Sequence, residues 1–320
     1  MPAALIALAG ALVFGSADFL GGLAARRLRS IVATAVAAAS GLVLLAMLYP
    51  LLGDSWMAAD VAWGALSGVF GAIAIALLYA CLAIGPMSIL SPLTAVVSAI
   101  APMLWGLVVN GEQLSALGYA GLGVALVAVV LVGFIPGQKV VRPSARGAAM
   151  AAGAGLAIGA FMIVLDQTTP GSGIVPLVAN RAANAVITGS IVLVLLATAR
   201  GHGLRPARAL AAQGAELGAT PTGHADLEHA TPAATPVPVV RISASAWWAA
   251  IACGAVDSSA NAIMLVALRL GDLSVVSALT AMYPAGTIIL ASMVLRERVA
   301  AVQWAGLVLA LTAGVMLALA

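Results

Sequence analysis

A long stretch without charge is the feature that most constrains this chain. From Val61 to Gly111 there is no aspartate, glutamate, lysine or arginine. A helix needs roughly 20 apolar residues to cross a bilayer core, so this stretch has room for two membrane spans and a short turn. The rest of the chain is of the same kind, with 63% hydrophobic and only 8% charged residues. Ordinary soluble domains carry roughly 25% charged residues, so the composition excludes a globular surface exposed to water.

The same length rule, applied along the whole chain, predicts ten transmembrane helices. They cover residues 3–25, 31–52, 61–83, 87–109, 114–135, 148–166, 174–198, 245–268, 272–294 and 299–320. The 34 glycines lie among alanine, leucine and valine, which favours helices packed closely through small residues and does not resemble the alternating strands of a barrel. The sequence therefore predicts an all-α integral membrane protein, a multi-pass protein of the cell (plasma) membrane with lipid around it.

An internal duplication is visible around the fourth and ninth predicted helices. Residues Gly85 to Ala95 read GPMSILSPLTA and residues Gly271 to Ala281 read GDLSVVSALTA, with six identical positions. Glu112 and Glu297 each precede a helix glycine by nine residues. Each copy holds five helices, and an odd number makes the second copy enter the membrane in the opposite sense. We expect two inverted five-helix repeats, residues 1–135 and 147–320, joined by a linker at 136–146.

Three further motifs carry a resemblance to a known family. They are FGSADFLGG at Phe14 to Gly22, NGEQLS at Asn110 to Ser115, and TAMYPAG followed by LRERV at Leu295 to Val299. With two copies in register, the chain resembles the ten-helix, EamA-type members of the drug/metabolite transporter superfamily over essentially its whole length. The resemblance implies a secondary transporter of metabolites, often amino acids or other small organic solutes, that works by alternating access. Such proteins usually have cytoplasmic termini.

A polar loop at residues 199–243 interrupts the second repeat. It contains proline, alanine, threonine and glycine, mixed charges and all three histidines, His202, His224 and His229. With little apolar material to bury, it is expected to be a solvated, disordered linker. The histidine spacing matches no zinc site, and both cysteines, Cys81 and Cys253, lie inside predicted spans, so no metal, cofactor or disulfide is expected.

Two acids inside the predicted spans are candidate functional residues, because a charge in the bilayer costs several kcal/mol. Asp18 has Gly15 and Gly22 on its helix face and can hold a proton or a cationic group, or can pair with nearby arginines such as Arg26. Asp257 is the deepest charge, with Asn261 one turn on. A protonated Asp257 would be hydrogen-bonded by Asn261 and could carry protons, whereas a nearby Arg181 would make an ion pair.

Arg181 and the polar stripes complete the predicted pathway. Arg181, together with Asn184, can clamp a carboxylate or phosphate, or can reach to the headgroups, whereas Arg269 ends its helix and is expected to anchor the interface. Proline and hydroxyl side chains recur on one face of the fourth and ninth predicted helices. Proline leaves one backbone carbonyl without its helical partner, and within a membrane such a carbonyl is tolerated only beside protein or water. The members taken as path residues are Ser91, Thr94, Ser98, Ser277, Thr280 and Pro284.

These features favour transport over two other classes of function. An intramembrane enzyme would need a reactive group, but no histidine lies in a span and no HExxH motif occurs. A membrane channel or a scaffold without transport activity is the remaining alternative. A channel would normally show a repeated filter or a charged ring. We therefore expect a non-enzymatic transporter, for efflux or uptake, with a small-molecule substrate and protons as the candidate coupling ion. It would be a monomer or homodimer and would have no nucleic-acid partner.

The charge distribution predicts which side of the membrane the loops occupy. Twelve of the 14 lysines and arginines fall in the loops after spans 1, 5, 7 and 9. By the positive-inside rule, these loops are cytoplasmic and both termini lie outside. A cysteine introduced between Arg200 and Arg241 should therefore resist an impermeant thiol reagent added to intact cells, and labelling there from outside would overturn this topology.

Overall fold

A computed structural model describes residues 2–52, 55–84, 87–132, 144–212, 218–222, 225–226, 242–295 and 300–320. The long helices of the first part of the chain are α1 (Pro2–Ala25), α2 (Ser30–Leu52), α3 (Ala58–Ile84), α4 (Met87–Val108) and α5 (Ala116–Val132). The second part contains α6 (Ala145–Asp166), α7 (Val175–Gly201), α8 (Pro206–Leu210), α9 (Ala244–Leu270), α10 (Leu273–Thr280), α11 (Tyr283–Leu290) and α12 (Ala301–Leu319). A 3-10 turn at Pro170–Ser172 precedes α7, and two-residue strands, β1 (Gly218–Ala219) and β2 (Ala225–Asp226), pair between α8 and α9.

The described helices have the dimensions of a membrane protein. Eight apolar helical segments are long enough to cross a bilayer, and two shorter ones, Leu93–Val108 and Ala116–Val132, accompany them. Large apolar side chains point outward, as at Met47 and Leu193, and their surroundings would be lipid. The predicted all-α membrane class is confirmed, whereas the count of ten spans stays a prediction.

The ninth predicted span is not one continuous helix. α10 ends at Thr280, α11 begins at Tyr283, and a π-helical turn follows at Ala291–Leu295. Pro284 has no N–H to donate, and its ring would collide with the carbonyl of Thr280 in a regular helix. Its place just after the break accounts for the interruption, which the length rule could not show.

The helix packing keeps its pattern when the two predicted halves are exchanged. α1 packs against α9 and α11, and its counterpart α6 packs against α3 and α4. α2 packs against α9, and α7 packs against α3. The remaining contacts between counterparts are α2 with α7, α4 with α10, and α5 with α12. This exchange supports the inverted repeat of residues 1–135 and 147–320, which stays a prediction.

Glycines allow the crossings to be close. A Cβ at Gly68 on α3 would overlap the carbonyl of Asn180 on α7, and a Cβ at Gly254 on α9 would overlap the carbonyl of Ala37 on α2. These two crossings are counterparts in the exchange. Backbone contact of this kind is typical of membrane helices, which associate through tight packing because burial from lipid supplies no hydrophobic driving force.

The polar loop is partly folded into the protein. Its beginning docks on the turn between α1 and α2, where the N–H of Arg29 donates to Leu210 and that of Ala212 donates to Arg27. Further on, Thr220 and Thr222 are both 0% exposed. The expectation of a solvated linker is therefore wrong for residues 220–222. Composition misses this because buried partners satisfy the polar groups of the segment.

Glu112 joins the two predicted halves. Its carboxylate oxygens accept hydrogen bonds from the N–H groups of Leu273, at 2.9 Å, and Ser274, at 3.0 Å. These N–H groups belong to the first turn of α10 and have no partner within their own helix. A negative charge at a helix N-terminus also complements the helix dipole. The counterpart acid, Glu297, lies outside the described residues.

Replacing Glu112 with alanine should lower the stability of the folded protein, because two N–H groups of α10 would lose their acceptor. We expect a loss of about 1 to 3 kcal/mol, visible as a lower unfolding midpoint in detergent micelles. The matched control is Gln113→Ala, because Gln113 is exposed on the same loop. Equal midpoints for the two variants would show that this cap contributes nothing measurable.

Candidate functional site

Two helices present polar faces of the same spacing. The faces comprise Asn180, Arg181 and Asn184 on α7, and Asp257, Ser258 and Asn261 on α9. In each case the residues lie at i, i+1 and i+4, which places them on one side of a helix. All six are buried inside a bundle whose neighbouring side chains are apolar. The two faces together form the polar centre of the protein.

Arg181 and Asp257 form an ion pair within this centre. The guanidinium Nη2 donates to Asp257 Oδ2, and the two side chains are 1% and 0% exposed. Arg181 Nε donates to Ser258 Oγ at 3.1 Å. Gly41 on α2 leaves the necessary room, since a Cβ there would overlap Ser258 and touch Arg181. Of the two alternatives for Asp257 considered from the sequence, the structure therefore has the ion pair.

A hydroxyl from the polar loop completes the pair. Thr222 Oγ1 donates to Asp257 Oδ1 at 2.7 Å, and it accepts from Arg181 Nη2 at 3.3 Å and from Asn261 Nδ2 at 2.7 Å. A hydroxyl has one hydrogen to donate and two lone pairs to accept with, so the full capacity of Thr222 is used. Asn261 Nδ2 also donates to the backbone carbonyl of Asp257 at 2.7 Å.

The same loop segment also contacts α3 and α7 through Pro221. The Pro221 carbonyl accepts from Asn184 Nδ2 at 2.8 Å. It lies against Gly71, where a Cβ would be only 2.7 Å from the carbonyl oxygen. Gly71 corresponds to Asp257 in the internal duplication, so the polar centre has a carboxylate on one wall and open backbone on the other.

Four buried polar atoms of the centre have no hydrogen-bond partner among the described residues. They are Asn180 Oδ1, Arg181 Nη1, Asn184 Oδ1 and Asn261 Oδ1. Each would cost about 1 to 3 kcal/mol if it stayed unsatisfied. One cationic donor and three amide acceptors suit a small ligand with both an anionic or carbonyl group and a hydrogen-bond donor.

The remaining predicted path residues are placed elsewhere. Thr94 Oγ1 donates to the carbonyl of Ala151 on α6 at 3.2 Å, and a Cβ at Gly159 would contact Pro102 and Ser98, so both Thr94 and Ser98 lie at the contact between α4 and α6. The side chain of Ser91 lies outside the described part of the chain. These positions fit helix packing, and a role in a pathway stays a prediction.

The second stripe is buried as well. Ser277, Thr280 and Pro284 are buried on α10 and α11, and Ser277 Oγ donates to the carbonyl of Ser274 at 3.1 Å. Thr280 Oγ1 has no partner among the described residues. Asp18 is buried on α1, the helix that packs against α9 and β1.

Arg269 lies at the end of α9, far from Asp257 along the helix. Its Nη2 donates to the carbonyl of Gly173 at 2.6 Å, next to the 3-10 turn. At the same end of the protein, Asp60 accepts from the Thr169 hydroxyl at 2.7 Å. These contacts hold loops together and add no group to the polar centre.

Sequence reasoning missed Pro221, Thr222 and the two glycines, Gly41 and Gly71. The only local signal was a proline between two threonines in a loop otherwise rich in alanine and glycine. Threonine supplies hydroxyls, and proline brings no N–H that would need a partner. That signal is too weak to show where the segment lies.

Comparison with known proteins gives one family. Residues 230–319, a stretch that includes α9 to α12, match the model of the EamA-like transporter family. No curated protein matches the sequence. A solved crystal structure is similar with a TM-score of 0.64 and 16% sequence identity, covering 100% of this chain and 99% of that one. At this identity the likeness shows the fold alone, over the full length of both chains.

Neutralising one member of the ion pair should destabilise the protein more than neutralising both. Arg181→Met or Asp257→Asn alone leaves an uncompensated charge in an apolar interior, with an expected loss of about 3 to 5 kcal/mol. The double variant removes both charges, so its loss should be smaller than that of either single variant and far below the sum of the two single losses. Unfolding of the four proteins in the same detergent measures this cycle, and additive losses would mean that the two charges do not interact.

Proposed function

We propose that the whole chain is a secondary transporter of small organic solutes, because residues 230–319 match the EamA-like transporter family of the drug/metabolite transporter superfamily. It works by alternating access in the cell membrane, with the solute bound at the polar centre around Arg181 and Asp257. The sequence resemblance to this superfamily is confirmed by the family match. The family match and the apolar helices indicate a multi-pass membrane transporter.

The observation that carries this proposal is the buried ion pair with unused polar atoms beside it. Burying two charges costs more than their attraction returns unless the geometry is very good, and well-packed apolar side chains would serve packing equally well. Charges at membrane depth are usually retained because they bind something. The free Nη1 of Arg181 and the free amide oxygens provide contacts for a zwitterionic or polar solute.

The helix contacts supply the moving parts of the proposed cycle. α9 packs against α1 and α2, and α3 packs against α6 and α7. The chain thus contains two three-helix groups: α1, α2 and α9 form one, and α3, α6 and α7 form the other. Each group includes one helix from the other predicted half, and the two groups meet where α2 contacts α7. Arg181 belongs to one group and Asp257 to the other, so rocking of the groups would open or close the ion pair. A solute that engages both side chains would bias that motion through its different contacts in the two states.

Asp18 is the residue that couples this cycle to protons. Asp257 already has a guanidinium partner, so the alternative of a lone protonated acid loses its support. Asp18 is a buried carboxyl on α1, within the group that contains Asp257. A carboxyl that faces alternate sides of the membrane in the cycle can take up a proton on one side and release it on the other.

Transport should require the ion pair even where folding does not. We expect the double variant Arg181→Met with Asp257→Asn to retain its size-exclusion profile in detergent but to lose at least about 90% of counterflow, because the solute loses its charged partners. Proteoliposomes with and without a pH gradient, tested with a panel of radiolabelled amino acids and organic cations, provide the measurement. The control is Asp60→Asn, a buried acid on α3 that bonds Thr169.

Two outcomes of this experiment separate the parts of the proposal. Wild-type counterflow in the double variant would remove the polar centre from the pathway. A response to the pH gradient that persists in Asp18→Asn would remove Asp18 from proton coupling but would leave the solute site intact.

A further inference from the structure

The polar centre is filled by a segment of the chain itself. We propose that residues 218–222 act as an internal ligand that occupies the solute site and must leave before a solute binds. This inference rests on the proposed function for the location of the site, and it adds a regulation that the proposed function does not require. The segment would keep the transporter closed until it is displaced.

The Thr222 hydroxyl fits the polar centre as a bound ligand would. It contacts one side chain from each three-helix group, Arg181 of one group and Asp257 of the other, at 3.3 and 2.7 Å. Asn261 contributes a third contact at 2.7 Å. A hydroxyl held by an anion, a cation and an amide together is bound as a ligand would be bound. It also bridges the groups that the proposed cycle moves apart.

The Pro221 carbonyl fits the opposite wall of the polar centre. Asn184 donates to it at 2.8 Å, and Gly71 leaves open backbone at the place where any side chain would collide with it. These two residues come from α7 and α3, so the carbonyl and the hydroxyl are recognised by different elements. The Pro221 carbonyl and the Thr222 hydroxyl are therefore bound by four helix side chains, and Gly71 leaves the space for the carbonyl.

Residues 218–222 are held in place by local contacts and not by a large sheet. Non-helical backbone at membrane depth is tolerated only where protein or water surrounds it, and Pro221 removes one N–H that would need a partner. The segment joins no large sheet, since β1 pairs only with the two residues of β2 among the described strands. The segment is held by packing on α1 and α2 and by side-chain hydrogen bonds at Pro221 and Thr222, together with one between Thr220 and Asp257, each of which contributes modestly. A segment held in this way can leave without unfolding the helices.

Tethering explains why weak contacts suffice to keep the site closed. Because the segment is attached to the bundle, its effective concentration at the site is of the order of millimolar. Free solute must compete with a segment that is already bound. The apparent affinity for solute is lowered by the fraction of molecules in which the segment is seated. Anything that draws the segment out of the bundle would raise that affinity.

Cys253 reports on this segment independently of transport. It is 1% exposed and lies one turn before Asp257 on α9. With Cys81→Ala as the background, Cys253 is the single cysteine of the chain. We expect Thr222→Val, which keeps the side-chain shape but removes the hydroxyl, to raise its rate of modification by methanethiosulfonate ethylammonium at least about tenfold.

A second variant, on α3, disturbs the same segment without changing the loop sequence. Gly71→Ala places a Cβ 2.7 Å from the Pro221 carbonyl and should raise the labelling rate of Cys253 similarly, although the loop sequence is unchanged. The matched controls are Thr198→Val and Gly189→Ala on α7. The Thr198 hydroxyl bonds only within its own helix, and nothing described lies within 4 Å of a Cβ at Gly189. Labelling is compared for variants whose size-exclusion profile matches the parent protein.

The outcomes distinguish this inference from the proposed function. Faster labelling in both test variants, with the controls at the parent rate, supports a displaceable segment whether or not transport is found. Labelling at the parent rate in both test variants would overturn the inference and show a permanent part of the core. If labelling rises but no solute of the panel shows faster counterflow in Thr222→Val, the segment is displaceable but does not occupy the solute site.

Discussion

The ion pair between Arg181 and Asp257 is the interaction on which the rest of the structure depends. Two charges in an apolar bundle are stable only if nearly every polar atom around them finds a partner. The surrounding residues meet that demand, with Ser258 on one side, Thr222 on the other and Asn261 bonded to both the backbone and the loop. Four polar atoms around the pair still have no hydrogen-bond partner among the described residues. The loop segment supplies hydrogen-bond partners to the buried charges, and the proposed solute would supply such partners in its place.

Small residues make this arrangement possible. Gly41 leaves room for the Ser258 hydroxyl that binds Arg181, and Gly71 leaves room for the loop carbonyl. Gly68 and Gly254 bring the flanking helices into backbone contact. Larger side chains at these positions would separate α2, α3, α7 and α9 and let the charged groups fall out of reach. In membranes such contacts also replace the hydrophobic driving force that water supplies to soluble proteins. Helix packing and the arrangement of the polar centre therefore both depend on these glycines.

A single residue or a local pattern was enough to select side chains that the structure places close together, whereas their role in transport stays a prediction. Arg181, Asn184, Asp257 and Asn261 were selected because each is polar within an apolar span, and the structure brings all four together. Thr94 and Ser98 were selected by the same rule but lie against α6, because a hydroxyl in a helix can also bond a neighbouring carbonyl. Helical spacing identifies a face but does not say which neighbour that face meets.

The sequence by itself determined the all-α membrane class, the approximate helix limits and the residues that carry buried charge, because hydropathy and spacing act over one or two helical turns. Only the tertiary structure decided that Arg181 meets Asp257, that α10 and α11 are separate helices, and that Thr222 enters the core. These depend on contacts between residues far apart in the chain, such as the 35 positions between Thr222 and Asp257. A hydroxyl in a polar loop looks solvated until the fold places a buried carboxylate beside it.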